Sequence, residues 1–543
     1  MAGAERDLTP LAPVGLGRTR SGPVRQQRPV YVDLLPPCNV GCPAGENIQA
    51  WLGLVKAGRE EDAWRQLTAD NPLPAVHGRV CYHPCEAACN RVELDGAVSI
   101  HGVERHLGDL AIERGWAFAS PATRSGRRVL VIGSGPSGLS AAYHLARLGH
   151  DVTVRDSGAE PGGMMRYGIP SYRLPRQVLD AEIARIRDLG VTFEQDHRVV
   201  DLEAERRGGG FDAVFVAVGA HLSTRVDIPN QDASRVLDAV TFLRDAAGGT
   251  GAPMTGRVAV YGGGNTAMDA ARVARRLGAD DTVIVYRRTR EQMPAHESEA
   301  HDAEEEGIRI SWLRTIASMG DDALTVEVQE LDEHGKPHGT GQFETLEADT
   351  VILAIGQESD TGFLRGIPGI EFERDTLQVH TDTLMTGADG IFAGGDAVPS
   401  QRTVTVGVGH GKRAARSIDA WLRGGHHDQP PKHDHATLDK LNLWYFGVHD
   451  RREQVELDAQ ARSLTFDEVL TGLSPAEAAF EAGRCLSCGN CFECDGCLGA
   501  CPEDAVVKLG EGLRYEFDYA KCTGCGACYR QCPVHAIEMI PEL

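Results

Sequence analysis

Fifteen cysteines are distributed so unevenly that they decide what this chain can be built around. Five lie between Cys38 and Cys89, ten lie between Cys485 and Cys532, and none occurs between residues 90 and 484. In the second group, Cys491, Cys494, Cys497 and Cys501 follow the spacing C-x2-C-x2-C-x3-C-P, and Cys522, Cys525, Cys528 and Cys532 repeat it, closed by Pro533. Eight thiolates in that double spacing suit two 4Fe–4S cubanes, the fourth cysteine of each run ligating the other cluster. A zinc knuckle or a disulfide staple is the alternative, but zinc sites seldom repeat an asymmetric 2-2-3 pattern with a trailing proline. Cys485 and Cys488 are left over.

A chain of 543 residues holds three or four domains, each with its own core. Clustered cysteines in so long a chain point to metal rather than to a disulfide framework, and to a reducing cytoplasm. The formal net charge of −23 argues against nucleic acid or an anionic membrane surface as the main partner. No apolar run approaches the ~18 residues of a membrane span, and no signal-peptide order is present. Residues 1–30, rich in Pro, Gly and Arg, read as a disordered tail.

From Tyr31 the pattern becomes helical, with Ile48, Leu52 and Val55, then Ala63 and Leu67, at helical spacing. Residues 31–122 are expected to form a small helical domain with cysteines at the helix ends. Its spacings are Cys38-x3-Cys42 and Cys81-x3-Cys85-x3-Cys89. Five thiols are too many for one cubane and too few for two.

Two dinucleotide-binding units follow. In RRVLVIGSGPSGLSAAYHLARLGHDVTVRD a strand leads into Gly133, Gly135 and Gly138, a helix, and a second strand ending at Asp156. The glycines permit a tight turn and close approach of a pyrophosphate to the helix N-terminus, and the acid stands where ribose hydroxyls are bonded. In GRVAVYGGGNTAMDAARVARRLGADDTVIVYRR the motif is Gly262, Gly264 and Ala267, with Asn265 opening the helix. Its second strand ends in Arg287 and Arg288, which favours the 2′-phosphate of NADP(H) over NAD(H), the alternative being solvated arginines.

The segments 212–220 and 349–357 read as the strands that close each unit. GIFAGGDAV reads as a strand running into Gly395 and Asp396, and 403–422 as a glycine-rich turn, carrying His410, that enters a helix. A lone histidine there reads as structural. The acidic run 302–307 reads as a solvated helix end, and 424–436 as a solvated hinge. From Leu464 to Arg484 the pattern is helical. The empty middle excludes a thiol–disulfide reductase, and hydride transfer between a nicotinamide and a flavin needs no side-chain acid or base, so no catalytic residue is expected.

The fold class is therefore α/β, a flavoprotein core of two dinucleotide-binding domains. With PPCNVGCPAGENI, NPLPAVHGRVCYHPCEAAC, PGGMMRYGIPSYRLP, VYRRTREQMPA and GIFAGGDAV in place, the chain from about Pro36 to Leu422 resembles the glutamate synthase small-subunit family. Relatives of that family include the NADPH-reactive part of dihydropyrimidine dehydrogenase and the large subunit of NADH-dependent ferredoxin:NADP oxidoreductase. The resemblance implies a helical iron–sulfur domain (31–122), an FAD domain (123–221 and 359–425) and an inserted NAD(P) domain (222–358). A linker and helix (426–480) then lead to an α+β bacterial-type ferredoxin domain (481–543). It also implies that Gly162 and Gly163 line the flavin, and that Asp396 bonds its ribityl–pyrophosphate arm.

Family members usually carry E-A-x-R-C-L-x-C just before the Pro-Pro-Cys segment. Here no cysteine precedes Cys38, yet Glu481 to Cys488 reproduces that phrase some 440 residues later. The resemblance then implies that the C-terminal segment folds back. One cluster takes Cys38, Cys89, Cys485 and Cys488, and the other takes Cys42, Cys81, Cys85 and Glu104. With the two ferredoxin-domain clusters, four 4Fe–4S clusters are expected. The implied activity is electron transfer between NADP(H), FAD and clusters, to or from a redox partner: a ferredoxin, a 2-oxoacid:ferredoxin oxidoreductase or the large subunit of glutamate synthase. A non-catalytic electron-wiring subunit is the reading from another class.

Overall fold

The computed structural model describes residues 25–224, 228–229, 235–427 and 433–542. Two five-stranded parallel sheets carry the middle of the chain. The first has the order Ile391–Ala393, Ala213–Val216, Arg128–Ile132, Asp151–Arg155, Thr192–Glu194. The second has the order Arg309–Trp312, Asp281–Tyr286, Arg257–Tyr261, Thr350–Leu353, Val236–Asp238. Their central strands, RVLVI and RVAVY, are apolar runs buried beyond their first residue, as a sheet covered on both faces requires. The segments expected to close each unit supply Ala213–Val216 and Thr350–Leu353, and the strand expected before Gly395 is Ile391–Ala393.

Before these sheets lies a helical region. Helices Ile48–Lys56 and Glu60–Thr68 bury the periodic positions Ile48, Leu52, Val55, Ala63 and Leu67. Asn47 caps the first by accepting from the Ala50 N–H, and Glu60, Glu61 and Asp62 offset the dipole of the second. After the sheets, a hairpin of Val506–Lys508 with Tyr515–Phe517 and two short helices hold the last eight cysteines. Among the described residues no helix is long and apolar enough to cross a membrane.

Five expectations need correction. Residues 27–30 are not tail: Gln27–Tyr31 is a strand, antiparallel to Ile537–Pro541, and Arg25 pairs with Glu542 at 2.6 Å. The partner strand would otherwise present an open edge. Residues 403–422 are not a turn and a helix but one helix, Val404–Leu422, capped by Thr403. Its glycines serve close approach: a Cβ at Gly409 would stand 2.1 Å from Pro43 O, and one at Gly411 2.3 Å from Ser137 O.

The acidic run 302–307 is only partly solvated. Glu306 is buried and accepts from Arg272 at 2.8 Å and from Arg276 at 2.6 Å, while Arg462 reaches Glu305 at 2.5 Å. Residues 464–484 are not one helix. Pro475 at the first helical position disfavours helix before it, and Ser474 with Glu477 forms a capping box, so only Pro475–Arg484 is helical. The hinge expected at 424–436 is stitched down where it is described: Leu35 N–H donates to Asp434 O at 2.8 Å, and Ala436 N–H to Leu35 O at 3.0 Å. Residues 428–432 lie outside the described residues.

Candidate functional site

Strand Arg128–Ile132 runs into Gly133, whose φ of +103° and crowded approach to Ala217 O (2.3 Å from a built Cβ) admit only glycine. Helix Pro136–Arg147 follows, packed so closely that a Cβ on Gly138 would stand 1.9 Å from Gly133 O. Gly135 faces open space. That space is a cavity of about 820 Å³, walled by Gly133, Gly135, Asp156, Gly163, Gly395 and Asp396. Gly162 is not in the wall; its N–H donates to Ser134 O at 3.0 Å.

Asp156 is more committed than expected. Its Oδ2 accepts from Ser134 N–H (2.6 Å) and Ser134 Oγ–H (2.7 Å), and its Oδ1 accepts from Gly158 N–H (2.7 Å). Three of a carboxylate's roughly four acceptor positions are thus used to shape the loop. Burial pushes Asp396 up to about 6, with Arg402 opposing. Its loop is held by His410, whose Nδ1 accepts from Gly395 N–H at 3.1 Å. Burial lowers His410 to about 4, which keeps that nitrogen an acceptor. His410 is structural, as its isolation implied.

The second unit opens onto the same cavity through Asn265, Thr266 and Asp269, at the start of helix Asn265–Arg276. Gly262 has a φ of +152°, and a Cβ there would meet Ala354 O at 2.2 Å. Gly264 faces open space, and Ala267 is buried beneath the turn. Arg287 is exposed, and Arg288 keeps a buried Nε with no hydrogen-bond partner. Neither arginine reaches the cavity wall. The open turn at Gly264, at the N-terminus of helix Asn265–Arg276, fits a phosphate-bearing nucleotide.

The cysteines gather into four sets. Burial pushes Cys38 well up, and the charges of Cys485, Cys89 and Cys488 push it further. Burial, then Cys485 and Cys89, push Cys488 up to about 12. Cys42 is raised by burial, Glu46, Glu104 and Cys81, while Cys85 is raised by burial, Glu86, Cys42, Cys81 and Glu104. In the last domain burial, Cys491, Cys532 and Cys494 raise Cys497 to about 11. Cys501, Cys522, Cys525 and Cys528 line one small cavity. Cys532 thus stands with the first run and Cys501 with the second. Buried thiols that repel one another as thiolates fit a site whose cation offsets the charge.

Sequence reading missed the surroundings of Glu104. Asn71 Nδ2 donates to Glu104 Oε1 (2.8 Å) and to Glu46 Oε1 (3.0 Å), and His77 Nδ1 lies 2.8 Å from the same nitrogen. Burial pushes both carboxyls up and lowers His77 to about 3. Thr405 was missed too: its Oγ donates to Cys81 Sγ at 3.0 Å, and its neighbours Thr403, Val404 and Gly407 line the cavity. Neither had a signal, since the partners lie tens to hundreds of residues apart in sequence.

The family profile described as pyridine nucleotide-disulphide oxidoreductase matches residues 127–411. Dihydropyrimidine dehydrogenase domain II, 4Fe-4S cluster, matches 32–116, and 4Fe-4S binding domain matches 515–538. The chain is 37% identical over 500 residues to the NADP(+)-dependent formate dehydrogenase subunit beta of Moorella thermoacetica, covering 83% of this chain and 70% of that one. It is 33% identical to the NADPH-Fe(3+) oxidoreductase subunit beta of Geobacter sulfurreducens, covering 83% and 75%. It is also 33% identical to the glutamate synthase [NADPH] small chain of Azospirillum brasilense, covering 72% and 87%. Two nucleotide turns sharing one cavity, thiol sets on both sides of them and these matches agree: the chain belongs to the NADP-dependent FAD and iron–sulfur oxidoreductases of the glutamate synthase small-chain family.

Proposed function

We propose that this chain is the NADP(H)-reactive subunit of a larger redox assembly, passing electrons through FAD and four 4Fe–4S clusters to or from a ferredoxin-type partner such as a 2-oxoacid:ferredoxin oxidoreductase. The observation that carries the reading is the continuity of donor sets outward from the cavity. Cys81 touches the helix that lines it, and only Gly489 and Asn490 separate Cys488 from Cys491. Three residues span at most roughly 11 Å, so those sets are neighbours. The similar proteins from Moorella and Geobacter are named as subunits, which supports a separate partner.

Bound FAD supplies the exchange of one hydride for two single electrons. The chain's part is to bind, orient and keep dry. The turn 133–137 and the N-terminus of helix Pro136–Arg147 take the pyrophosphate, and Asp396 takes ribityl hydroxyls. Asn265 and Arg288 take the nucleotide, while Val80, Met165 and Val404 give the cavity an apolar wall. Cys38, Cys89, Cys485 and Cys488 hold one cluster, and Cys42, Cys81, Cys85 and Glu104 another. The thiol-rich composition suits a reducing cytoplasm.

Anaerobic mixing with NADPH tests the reading. Bleaching of the flavin absorbance supports it, and no bleaching overturns it. Iron near 16 atoms per chain supports four cubanes. A second reading, a glutamate synthase small subunit, is favoured by the Azospirillum relative, and an anaerobic pull-down separates the two by the partner recovered.

A further inference from the structure

Tyr82 has no part in the assignments above, yet it stands where three parts of the molecule meet. It follows Cys81 directly and lines the cavity together with Val80. Its ring stacks on His296 of the nucleotide unit, with centroids 4.4 Å apart and planes at 12°. His296 is in turn fixed to the nucleotide turn: its N–H donates to Asn265 Oδ1 at 2.8 Å, and Ala295 N–H donates to Gly263 O at 3.0 Å. From the flavin unit, Arg173 shares the cavity wall with Tyr82, where its charge acts on the phenol, and pairs with Asp269 (2.9 Å) and Glu299. Asn265, Asp269, Arg173 and Tyr82 all face the one cavity.

We propose that Tyr82 is a positioning residue that couples the nucleotide turn to the cluster-bearing segment at Cys81. The inference rests on the reading of Cys81 as a cluster ligand and of the cavity as the flavin and nicotinamide site. The physical argument is one of shared constraint. A nucleotide seated at Asn265 acts on a residue that holds the His296 backbone, and His296 meets Tyr82 face to face. Tyr82 shares a peptide bond with Cys81, whose Sγ is itself fixed by Thr405. A displacement at Asn265 therefore reaches the sulfur through two packed rings and one covalent link, with no flexible segment between. Arg173 closes the triangle from the flavin side, so the three units move as one only while the stack is intact.

The test uses full-length, cluster-loaded protein held reduced by excess dithionite, with NADPH as the probe, so that no oxidised acceptor remains for its hydride, and EPR of the clusters as the readout. In the unsubstituted chain NADPH should change the spectrum of one N-terminal cluster and leave the ferredoxin-domain signals alone. Tyr82→Leu should abolish that change and slow flavin bleaching by NADPH roughly two- to tenfold, the worth of one aromatic pair. Tyr82→Phe keeps the ring and should restore both. His296→Ala, which keeps the backbone N–H to Asn265 and leaves Cys81 and its neighbours unsubstituted, should reproduce Tyr82→Leu at full iron content, so loss of a cluster in Tyr82→Leu alone would be read against it. A nucleotide-induced change that survives His296→Ala overturns the proposal. So does an unsubstituted chain that bleaches normally but, held reduced, shows no spectral response to NADPH. Absence of bleaching would instead strike the functional reading beneath it.

Discussion

Arg484 Nη2 donates to Asp95 Oδ1 at 2.9 Å, in a buried ion pair between residues 389 positions apart. The same guanidinium holds Glu481 at 2.7 Å and the carbonyls of Asp95, Gly96 and Ala97. Arg91 closes the arrangement by donating to Arg484 O. The residue before Cys485 is thereby anchored inside the helical region that carries Cys38 and Cys89.

Removing that anchor takes from Glu481 its buried cation and leaves Asp95 to Arg91 alone, and a buried carboxylate stripped of its partner costs about 3–5 kcal/mol. Arg484→Ala should therefore lower the midpoint of anaerobic chemical unfolding. It should also reduce bound iron by about four atoms, one cubane. Full iron with unchanged stability would show that the anchor is dispensable.

Cys485→Ser asks which set the leftover pair serves. Electron paramagnetic resonance of the reduced protein should lose an N-terminal cluster signal and keep those of the ferredoxin domain. Damage confined to the ferredoxin domain would refute the fold-back.

Nucleotide preference should sit on Arg288, just past the end of strand Asp281–Tyr286. Arg288→Ala removes a charge-assisted contact worth about 1.5–3 kcal/mol, so KM for NADPH should rise roughly 10- to 100-fold. KM for NADH should hardly move. Equal losses with both nucleotides would assign Arg288 to packing instead.

The loop around Asp396 should be acid-sensitive. His410 must be neutral for Nδ1 to accept from Gly395, and burial lowers it from 6.5 to about 4. Between those values the unfolded chain binds the proton more readily than the folded one. Its stabilising contribution is thus complete above about pH 6.5 and lost as pH falls through about 4. Flavin release, followed by fluorescence, should increase across that window. His410→Asn, whose amide oxygen accepts at any pH, should flatten the dependence, and an unchanged profile would remove His410 from the account.

Both nucleotide turns, the helices at Ile48 and Glu60 and the grouping of Cys532 with Cys491, Cys494 and Cys497 were legible because each rests on local spacing. Phrase order also exposed the leftover pair Cys485 and Cys488. Tertiary partners were not legible. Glu306 looked solvated in DAEEEG because its cations, Arg272, Arg276 and Arg462, come from a helix some thirty residues earlier and a segment 156 residues later. Gly407, Gly409 and Gly411 looked like a turn because glycine's rarity in helices outweighs, on sequence alone, its use where two helices touch. Gln27–Tyr31 looked like tail because its partner strand is distant.

That strand, and the pair at Cys485 and Cys488, set a timetable for biosynthesis. Domains usually fold from the N-terminus as the ribosome delivers them, at roughly 5–20 residues per second. On the ligand assignment proposed above, Cys38 and Cys89 are half a set whose complement is about 400 residues away, a wait on the order of 20–80 s. During that interval the half-set stands open to oxidants and to foreign metal ions. The ferredoxin domain waits as well, in the opposite sense, for a strand made at the outset to be recruited at the finish. On that assignment loading of these clusters belongs to the completed polypeptide, with iron and sulfide supplied after translation has ended.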